Sequence, residues 1–167
     1  SQIELPDPIS FGTISESVLG AQTIEPTDLI KYINIQREKV GSAPLRISQK
    51  LMQAARLRAD VILKYQNFSH QDPFENTELV TVLPKVNYYY RYASENIGMG
   101  GISAEDFVGG FMNSTSHREN LLGKYLSDTG VAIATGPYKQ YYVNIAVQLF
   151  AIPGSREDEL GYSTKEI

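Results

Sequence analysis

Residues 141–152 read YYVNIAVQLFAI, and both faces of this predicted strand are largely apolar. Alternate side chains of a strand point to opposite faces. One face carries Tyr141, Val143, Ile145, Val147 and Leu149. The other carries Tyr142, Ala146 and Phe150. A strand that is apolar on both sides is covered on both sides, so this segment predicts a sheet with helices packed against each face.

A second apolar strand directly precedes this one. Residues 129–135 read TGVAIAT, and GPYKQ at 136–140 joins the two runs with a Gly-Pro turn signal. Because helical patterns come first in the chain and strands come last, we expect an α+β fold. The predicted architecture is a three-layer α-β-α sandwich with a central antiparallel sheet.

Two helices are predicted before the strands. Residues 26–41, PTDLIKYINIQREKVG, place Leu29, Ile33, Gln36 and Val40 on one face, with Thr27 or Asp28 as N-cap and Gly41 at the end. The clearest helix is SQKLMQAARLRADVILKYQ at 48–66, which Ser48 can cap. Its apolar positions recur at helical spacing and comprise Leu51, Ala55, Ala59 and Ile62.

Three more elements follow between residues 76 and 113. NTELVTVLPKVN at 76–87 predicts a short helix that Pro84 kinks or stops. YYYRYASENIGMGG at 88–101 predicts an extended segment that ends at its glycines. SAEDFVGGFMN at 103–113 predicts a helix that opens with a variant capping box from Ser103 to Asp106.

Composition excludes several classes of function. The net charge of −4 without any basic run argues against nucleic-acid binding. The absence of cysteine excludes disulfides and thiol catalysis. No apolar run approaches the ~20 residues that a membrane span needs. The chain begins at Ser1, which is compatible with removal of an export signal.

The length of 167 residues suits one domain. We predict an extended arm or linker at 1–26, a globular domain at 27–152 and a polar tail at 153–167. No sequence feature indicates an oligomer, and we expect a monomer.

The two histidines lie in similar surroundings. His70 occurs in NFSHQDPF and His117 in NSTSHREN, and each is predicted to lie in a loop that follows a helix. Such loops often carry functional sites. Glu95, in the glycine-rich segment ASENIGMG, is an acid that could join them in a crevice.

Three interpretations of these residues remain open. His70, His117 and Glu95 could hold Zn²⁺, since three protein ligands suffice for an open zinc site. A nucleophilic serine could pair with a histidine, although the chain lacks a GxSxG elbow. The histidines could also be structural side chains that satisfy nearby backbone groups.

Several segments in order resemble one family. LIKYINIQREKVGSAPLRISQKLMQAARLRADVI, FSHQDP, SENIGMG and SAEDFVGGFMNSTSHRENLL together resemble the CAP superfamily of cysteine-rich secretory, antigen 5 and pathogenesis-related 1 proteins. The resemblance is strongest to its cysteine-free bacterial branch and runs from about Leu29 to Phe150. It implies an α-β-α sandwich, in agreement with the layers predicted above.

The resemblance also implies a cleft lined by two histidines and acidic residues. His70 matches the first family histidine, Glu95 the acid of the GEN motif, and His117 the histidine of the bacterial NSPGHR motif. Ser114 occupies the position where many members have a second glutamate. Ser116 and Arg118 complete the predicted ligand-binding set around a hydrogen-bonded imidazole.

The resemblance favours a binding module over an enzyme. We expect a secreted or surface-exposed bacterial protein that holds a small apolar or lipid ligand, or a cell-surface or host partner. A tyrosine wall comprising Tyr88, Tyr89, Tyr90 and Tyr92 is expected beside the cleft. No cofactor is required, although zinc is an option through His70, His117 and Glu95. The alternatives are a metal-assisted, peptidase-like hydrolase with Glu95 as base, and an adhesion domain whose cleft has no role.

Overall fold

A five-stranded sheet forms the centre of the computed structural model, which describes residues 8–10 and 23–155. The strands are β1 (Ile9–Ser10), β2 (Arg46–Ile47), β3 (Tyr90–Met99), β4 (Asp128–Tyr138) and β5 (Tyr141–Pro153). Their order across the sheet is β1-β3-β5-β4-β2. The three long strands are antiparallel, as predicted, and the two short edge strands add parallel pairings that the sequence pattern did not predict.

Helices cover both faces of this sheet. They are α1 (Pro26–Lys39), α2 (Gln49–Tyr65), α3 (Leu79–Lys85), α4 (Ala104–Met112) and α5 (Thr115–Leu122). Helices α2 and α3 pack on one face, while α1, α4 and α5 pack on the other. The prediction of a three-layer α-β-α sandwich is therefore confirmed.

Strand β5 contributes to both apolar cores, as its sequence predicted. Val143, Ile145, Val147 and Leu149 pack in the core with α2 and α3. Ala146 and Phe150 pack in the core with α1, α4 and α5. The strand is buried on both faces because each face meets its own layer of helices.

The first helix differs from its prediction at both ends. It begins at Pro26 with Glu25 as the N-cap residue, rather than at Thr27 or Asp28, because proline is favoured in the first helical turn. It ends at Lys39, and Val40 is 58% exposed instead of lying on the buried face. The buried positions are Leu29, Ile30, Ile33 and Arg37.

The hairpin between β4 and β5 turns later than predicted. Gly136 and Pro137 lie within β4 and pair with Val143 and Tyr142, and the reversal occurs at Lys139, whose φ is 55°. Among the described residues, β2 pairs only with the start of β4, at Asp128 and Thr129. The rest of that strand is an edge, where a residue without an N–H group is tolerated.

The predicted arm and tail lie largely outside the described residues. Within the arm, Ile9 and Ser10 pair in parallel with Gly98 and Met99 of β3. Pro26, its predicted last residue, belongs to α1. In the part of the chain that the structure describes, no helix has the length and apolarity needed to cross a membrane.

Helix α2 lies unusually close to the sheet at one point. A Cβ atom on Gly130 of β4 would come within 2.1 Å of the Leu51 carbonyl carbon and 2.3 Å of the Met52 nitrogen. These are backbone atoms, so rotation of a side chain cannot relieve the clash. Glycine at 130 therefore sets the distance between α2 and the sheet.

We expect Gly130→Ala to lower the free energy of unfolding by about 1–3 kcal/mol or more, because the helix must move to admit the methyl group. Gly109→Ala in α4 is the matched control, since a Cβ at Gly109 meets no atom within 4 Å. Alanine there should be neutral or stabilise by up to about 1 kcal/mol. Urea denaturation measures both, and equal stabilities of the two variants would contradict this account of the packing.

Candidate functional site

An arginine on the apolar face of α2 organises the candidate site. Arg58 continues the helical spacing of Leu51, Ala54 and Ile62, and its side chain has no exposed surface. Its Nε donates to Oε2 of Glu95 at 2.7 Å, and its Nη2 donates to Oε1 at 2.9 Å. This two-pronged geometry gives strong, directional charge-assisted hydrogen bonds.

The same guanidinium also holds the loop at residues 66–78. Its Nη1 donates to the Thr77 carbonyl at 2.8 Å and its Nη2 to the Ser69 carbonyl at 2.9 Å. Asp72 organises this loop from within, because its carboxylate accepts hydrogen bonds from the backbone N–H groups of Phe74 and Thr77. Helix α2, strand β3 and the loop are thus fastened at one point.

His70 extends from this loop onto Glu95. The His70 Nδ1 lies 2.7 Å from Glu95 Oε1, while the His70 side chain is 14% exposed and that of Glu95 is fully buried. Burial alone would raise the pKa of the Glu95 carboxyl. The charge of Arg58 and the hydrogen bonds from His70 and Arg58 outweigh burial, so this pKa lies below its usual value. Glu95 is therefore a carboxylate under ordinary conditions.

The second histidine lies in a helix, which corrects the prediction of a loop. His117 is in the first turn of α5, is buried, and stacks on Phe111 with ring centroids 5.5 Å apart. Its Nδ1 lies 2.7 Å from Ser114 Oγ. Ser114 is the N-cap residue of α5, but its hydroxyl makes no capping hydrogen bond. The sequence NSTSHREN shows no apolar stripe at helical spacing, because only His117 and Leu121 of α5 are buried. The helix was therefore not predicted.

Strand β3 contacts both histidines, through two neighbouring residues that point to opposite faces of the sheet. Glu95 pairs with Leu149, which faces α2, whereas the next residue, Asn96, points to the opposite face. The Asn96 amide donates to the His117 carbonyl at 3.1 Å and accepts from the Asn120 amide at 2.9 Å. The structure thus joins His70 to Glu95 directly and joins His117 to the adjacent residue of the same strand.

The remaining predicted ligand-binding residues lie on the same helix as His117. Ser116 is exposed in the first turn of α5. Arg118 donates from Nη1 to the Met112 carbonyl at 3.1 Å, which fastens the junction between α4 and α5. The geometry gives Arg118 a structural contact next to His117.

Comparison with known proteins identifies the family of this fold. The family model described as "CAP: Cysteine-rich secretory protein family" matches residues 30–150. The chain belongs to this family. Its lack of cysteine fits the bacterial branch.

A curated bacterial relative and several solved structures resemble this CAP chain. The uncharacterized protein YkwD of Bacillus subtilis is 30% identical over 103 residues, which cover 62% of this chain and 40% of YkwD. An extracellular SCP-domain protein of Bacillus anthracis matches with a TM-score of 0.66 at 23% identity, covering 76% of this chain and 40% of the other. An outer surface protein of Borrelia burgdorferi matches with a TM-score of 0.66 at 19% identity, covering 86% of this chain and 98% of the other. The chain therefore spans well under half of YkwD.

The predicted zinc ligands do not fit a metal in this CAP domain. Both Glu95 oxygens accept from Arg58, and Oε1 also lies against His70. A cation at Glu95 would be repelled by the buried guanidinium that contacts both carboxylate oxygens. Among residues 8–10 and 23–155, no three His, Cys, Asp or Glu side chains are grouped so that they could hold a metal ion.

The predicted tyrosine wall is wrong. Tyr88 is buried in the core with α2, and its hydroxyl donates to Asp128 Oδ2 at 2.7 Å. Tyr90 packs against that same core, whereas Tyr92 packs against the core on the other face of the sheet. Residues two apart in a regular strand share a face, but the register of β3 shifts between Tyr90 and Tyr92, and these two tyrosines pack on opposite faces of the sheet.

Two open grooves lie on the sheet face opposite Glu95. They have volumes of about 540 and 360 Å³, and both include Tyr32 and Glu105, on α1 and α4. Gly109 lines the smaller groove, together with Val108 and Met112. Neither groove is lined by His70, Glu95 or Arg58.

Two buried arginines were missed by the sequence reasoning. Arg58 was not singled out, although it interrupts the apolar stripe of α2 and so required a buried acidic or carbonyl partner. Arg37 likewise follows Leu29 and Ile33 at intervals of four residues. The position of each arginine in line with the apolar stripe of its helix was the sequence feature that could have predicted its burial.

We expect Arg58→Met to lower the free energy of unfolding by about 3–5 kcal/mol, because it leaves the Glu95 charge buried without its partner. Lys64→Met is the control on the same helix, since Lys64 forms an ion pair with Glu75 in which both side chains are largely exposed. It should change stability by at most about 1 kcal/mol. Chemical denaturation distinguishes the two, and a small effect of Arg58→Met would contradict the assigned role.

The lowered pKa of Glu95 predicts a loss of stability in acid. Between its folded and unfolded pKa values the unfolded state binds more protons, so stability rises with pH in that window. The contribution is complete above the usual value of 4.5 and declines as pH falls toward the folded pKa.

Urea denaturation from neutral to acidic pH measures this decline. Since the pair is buried, the decline should persist in high salt, which screens exposed pairs far more strongly. If salt abolished the decline of stability with falling pH, or if Glu95→Gln left that decline unchanged, the acid sensitivity would belong to other carboxylates.

Proposed function

We propose that this CAP domain is an extracellular or cell-surface bacterial binding module whose ligand contacts His70. Two structural neighbours, one described as an extracellular protein and the other as an outer surface protein, support this location. At identities of 23% and 19%, these neighbours share the fold alone, and the binding role rests on the geometry of the site.

The observation that carries the proposal is the full engagement of the Glu95 carboxylate. A general base must reach the proton that it abstracts and must have a pKa suited to accepting it. The Glu95 side chain has no exposed surface, is paired with Arg58, and has a lowered pKa. Glu95 therefore acts as a structural acid that orients His70, and the alternative of a hydrolase with Glu95 as base is disfavoured.

The loop that carries His70 and the helix that follows it expose apolar side chains. In the same loop, Phe74 is 56% exposed and stacks on Tyr65 with ring centroids 4.4 Å apart. Val80, at the start of α3, is also 56% exposed. A partly exposed imidazole, together with exposed apolar side chains in its loop and in the next helix, suits a small apolar or lipid molecule with one polar group.

Binding should raise the melting temperature of the protein. Palmitate, cholesterol and phosphatidylglycerol vesicles are the probes, and an effective ligand at 100 times its Kd should raise the Tm by roughly 5–10 °C. His70→Asn should lose this shift, because asparagine retains an N–H group for Glu95 but lacks the outer ring nitrogen.

The control for the location of binding is Gly109→Leu, which fills the smaller groove on the other face of the sheet. A Cβ at Gly109 meets no atom within 4 Å, so the variant should fold and should bind as the wild type does. If Gly109→Leu lost binding and His70→Asn kept it, the ligand would be assigned to that groove instead. No shift with any probe would refute lipid binding.

Zinc titration by calorimetry tests the hydrolase alternative. We expect the wild type and the variant carrying both His70→Ala and His117→Ala to give the same heats, since Glu95 is held by Arg58. A zinc heat that only the wild type shows would support the hydrolase. Unchanged partner binding by the double variant would instead support an adhesion domain in which the histidines have no role.

A further inference from the structure

We propose that side chains of helix α2 cover the open edge of strand β4 and thereby keep this CAP domain from pairing, edge to edge, with a second copy of itself. The surface concerned is the outer edge of residues 131–137, here called the β4 edge. These residues pair with β5 on one side, whereas β2 reaches only Asp128 and Thr129 on the other. The proposal is independent of the ligand proposed at His70.

The first step identifies the backbone groups that point away from β5. In an antiparallel strand these groups belong to alternate residues. The Val131 N–H and the carbonyl oxygens of Ile133 and Pro137 all contact α2 side chains, so the odd-numbered residues face outward. Thr135 lies between them in the same alternation and is exposed. The β4 edge therefore has the hydrogen-bonding groups that another strand would use.

The second step concerns the two α2 side chains at the centre of this edge. Met52 Sδ accepts from the Val131 N–H at 3.2 Å. Arg56 Nη1 donates to the Ile133 carbonyl at 2.6 Å. Residues 52 and 56 are four apart and so lie on the same face of the helix. One side of α2 thus satisfies a donor and an acceptor that would otherwise be open to a neighbouring strand.

Further contacts fix this arrangement in place. Asp60 Oδ1 lies 2.6 Å from Arg56 Nη2, which holds the guanidinium beside the strand. Gln66, the C-cap residue of α2, donates from Nε2 to the Pro137 carbonyl at 2.9 Å and accepts from the Lys139 N–H. Pro137 has no N–H group to offer to another strand. The side chains of α2 therefore cover the β4 edge from Val131 to the hairpin turn.

The third step identifies a second copy of β4 as the strand that this edge would otherwise bind. Residues 129–137, TGVAIATGP, carry no charge and include four β-branched residues. Two such strands pair well and do not repel each other. Antiparallel pairing about a two-fold axis would use the same groups in both copies. Edges of this kind pair with other chains unless charged side chains protect them, which is the role assigned to Arg56.

Analytical ultracentrifugation of a double variant, Met52→Leu with Arg56→Ala, tests the proposal. Leucine conserves the volume of methionine and alanine favours a helix, so α2 should be retained. We expect the wild type to be a monomer. The average mass of the double variant should rise with concentration by about twofold or more. Lys64→Met, which removes an exposed ion pair elsewhere on α2, should remain a monomer.

A third substitution tests whether the association occurs at β4. Thr135→Lys places a charge on the exposed strand edge, and in the double variant it should restore the monomer. Ser116→Lys is the matched control, because it adds the same charge at an exposed position of α5. In the double variant, this control should leave the assembly unchanged.

A folded double variant that stayed monomeric at every concentration would overturn the proposal. Assemblies that both lysine substitutions dissolved, or that neither dissolved, would also overturn it, because the association would then not depend on β4. A wild type that already dimerised and became monomeric with Thr135→Lys would show that α2 does not protect the edge. If the double variant failed to fold, Arg56→Ala alone would be judged by the same outcomes.

Discussion

The buried ion pair between Arg58 and Glu95 is the interaction on which the rest of this CAP domain depends. One guanidinium joins helix α2, strand β3 and the loop at residues 66–78 through four hydrogen bonds. A buried charge without a partner is costly, so each of these elements requires the others. His70 takes its position from this pair, and the site is therefore a consequence of the packing.

A second buried arginine has a corresponding role on the opposite face of the sheet. Arg37 of α1 donates to the carbonyl oxygens of Leu121, Gly123 and Leu126 and so fastens the segment that follows α5. Carbonyl oxygens do not offset its charge as a carboxylate would, and burial lowers the pKa of Arg37. Arg58 differs because its partner is an acid, and that acid contacts the partly exposed imidazole of His70.

The sequence predicted the layers well because burial on two faces leaves a direct pattern. The double apolar face of β5, the stripe of α2 and the Ser48 and Ser103 caps all correspond to local rules. The site was less predictable because its contacts are distant in sequence. Arg58 and Glu95 are separated by 37 residues, and no local pattern states that they meet. Family motifs indicated Glu95 and His70 but gave no reason to expect an arginine between α2 and the sheet.

The central claim is that Glu95 is a structural acid that remains ionised below the ordinary pKa of a glutamate. Carbon-13 NMR of the glutamate side-chain carboxyl groups, followed through an acid titration of the folded protein, measures this most directly. The account predicts that the Glu95 resonance remains that of a carboxylate at pH values below its ordinary pKa of 4.5. A Glu95 that takes up its proton at or above that value would contradict the account and would make this residue available as a general acid or base.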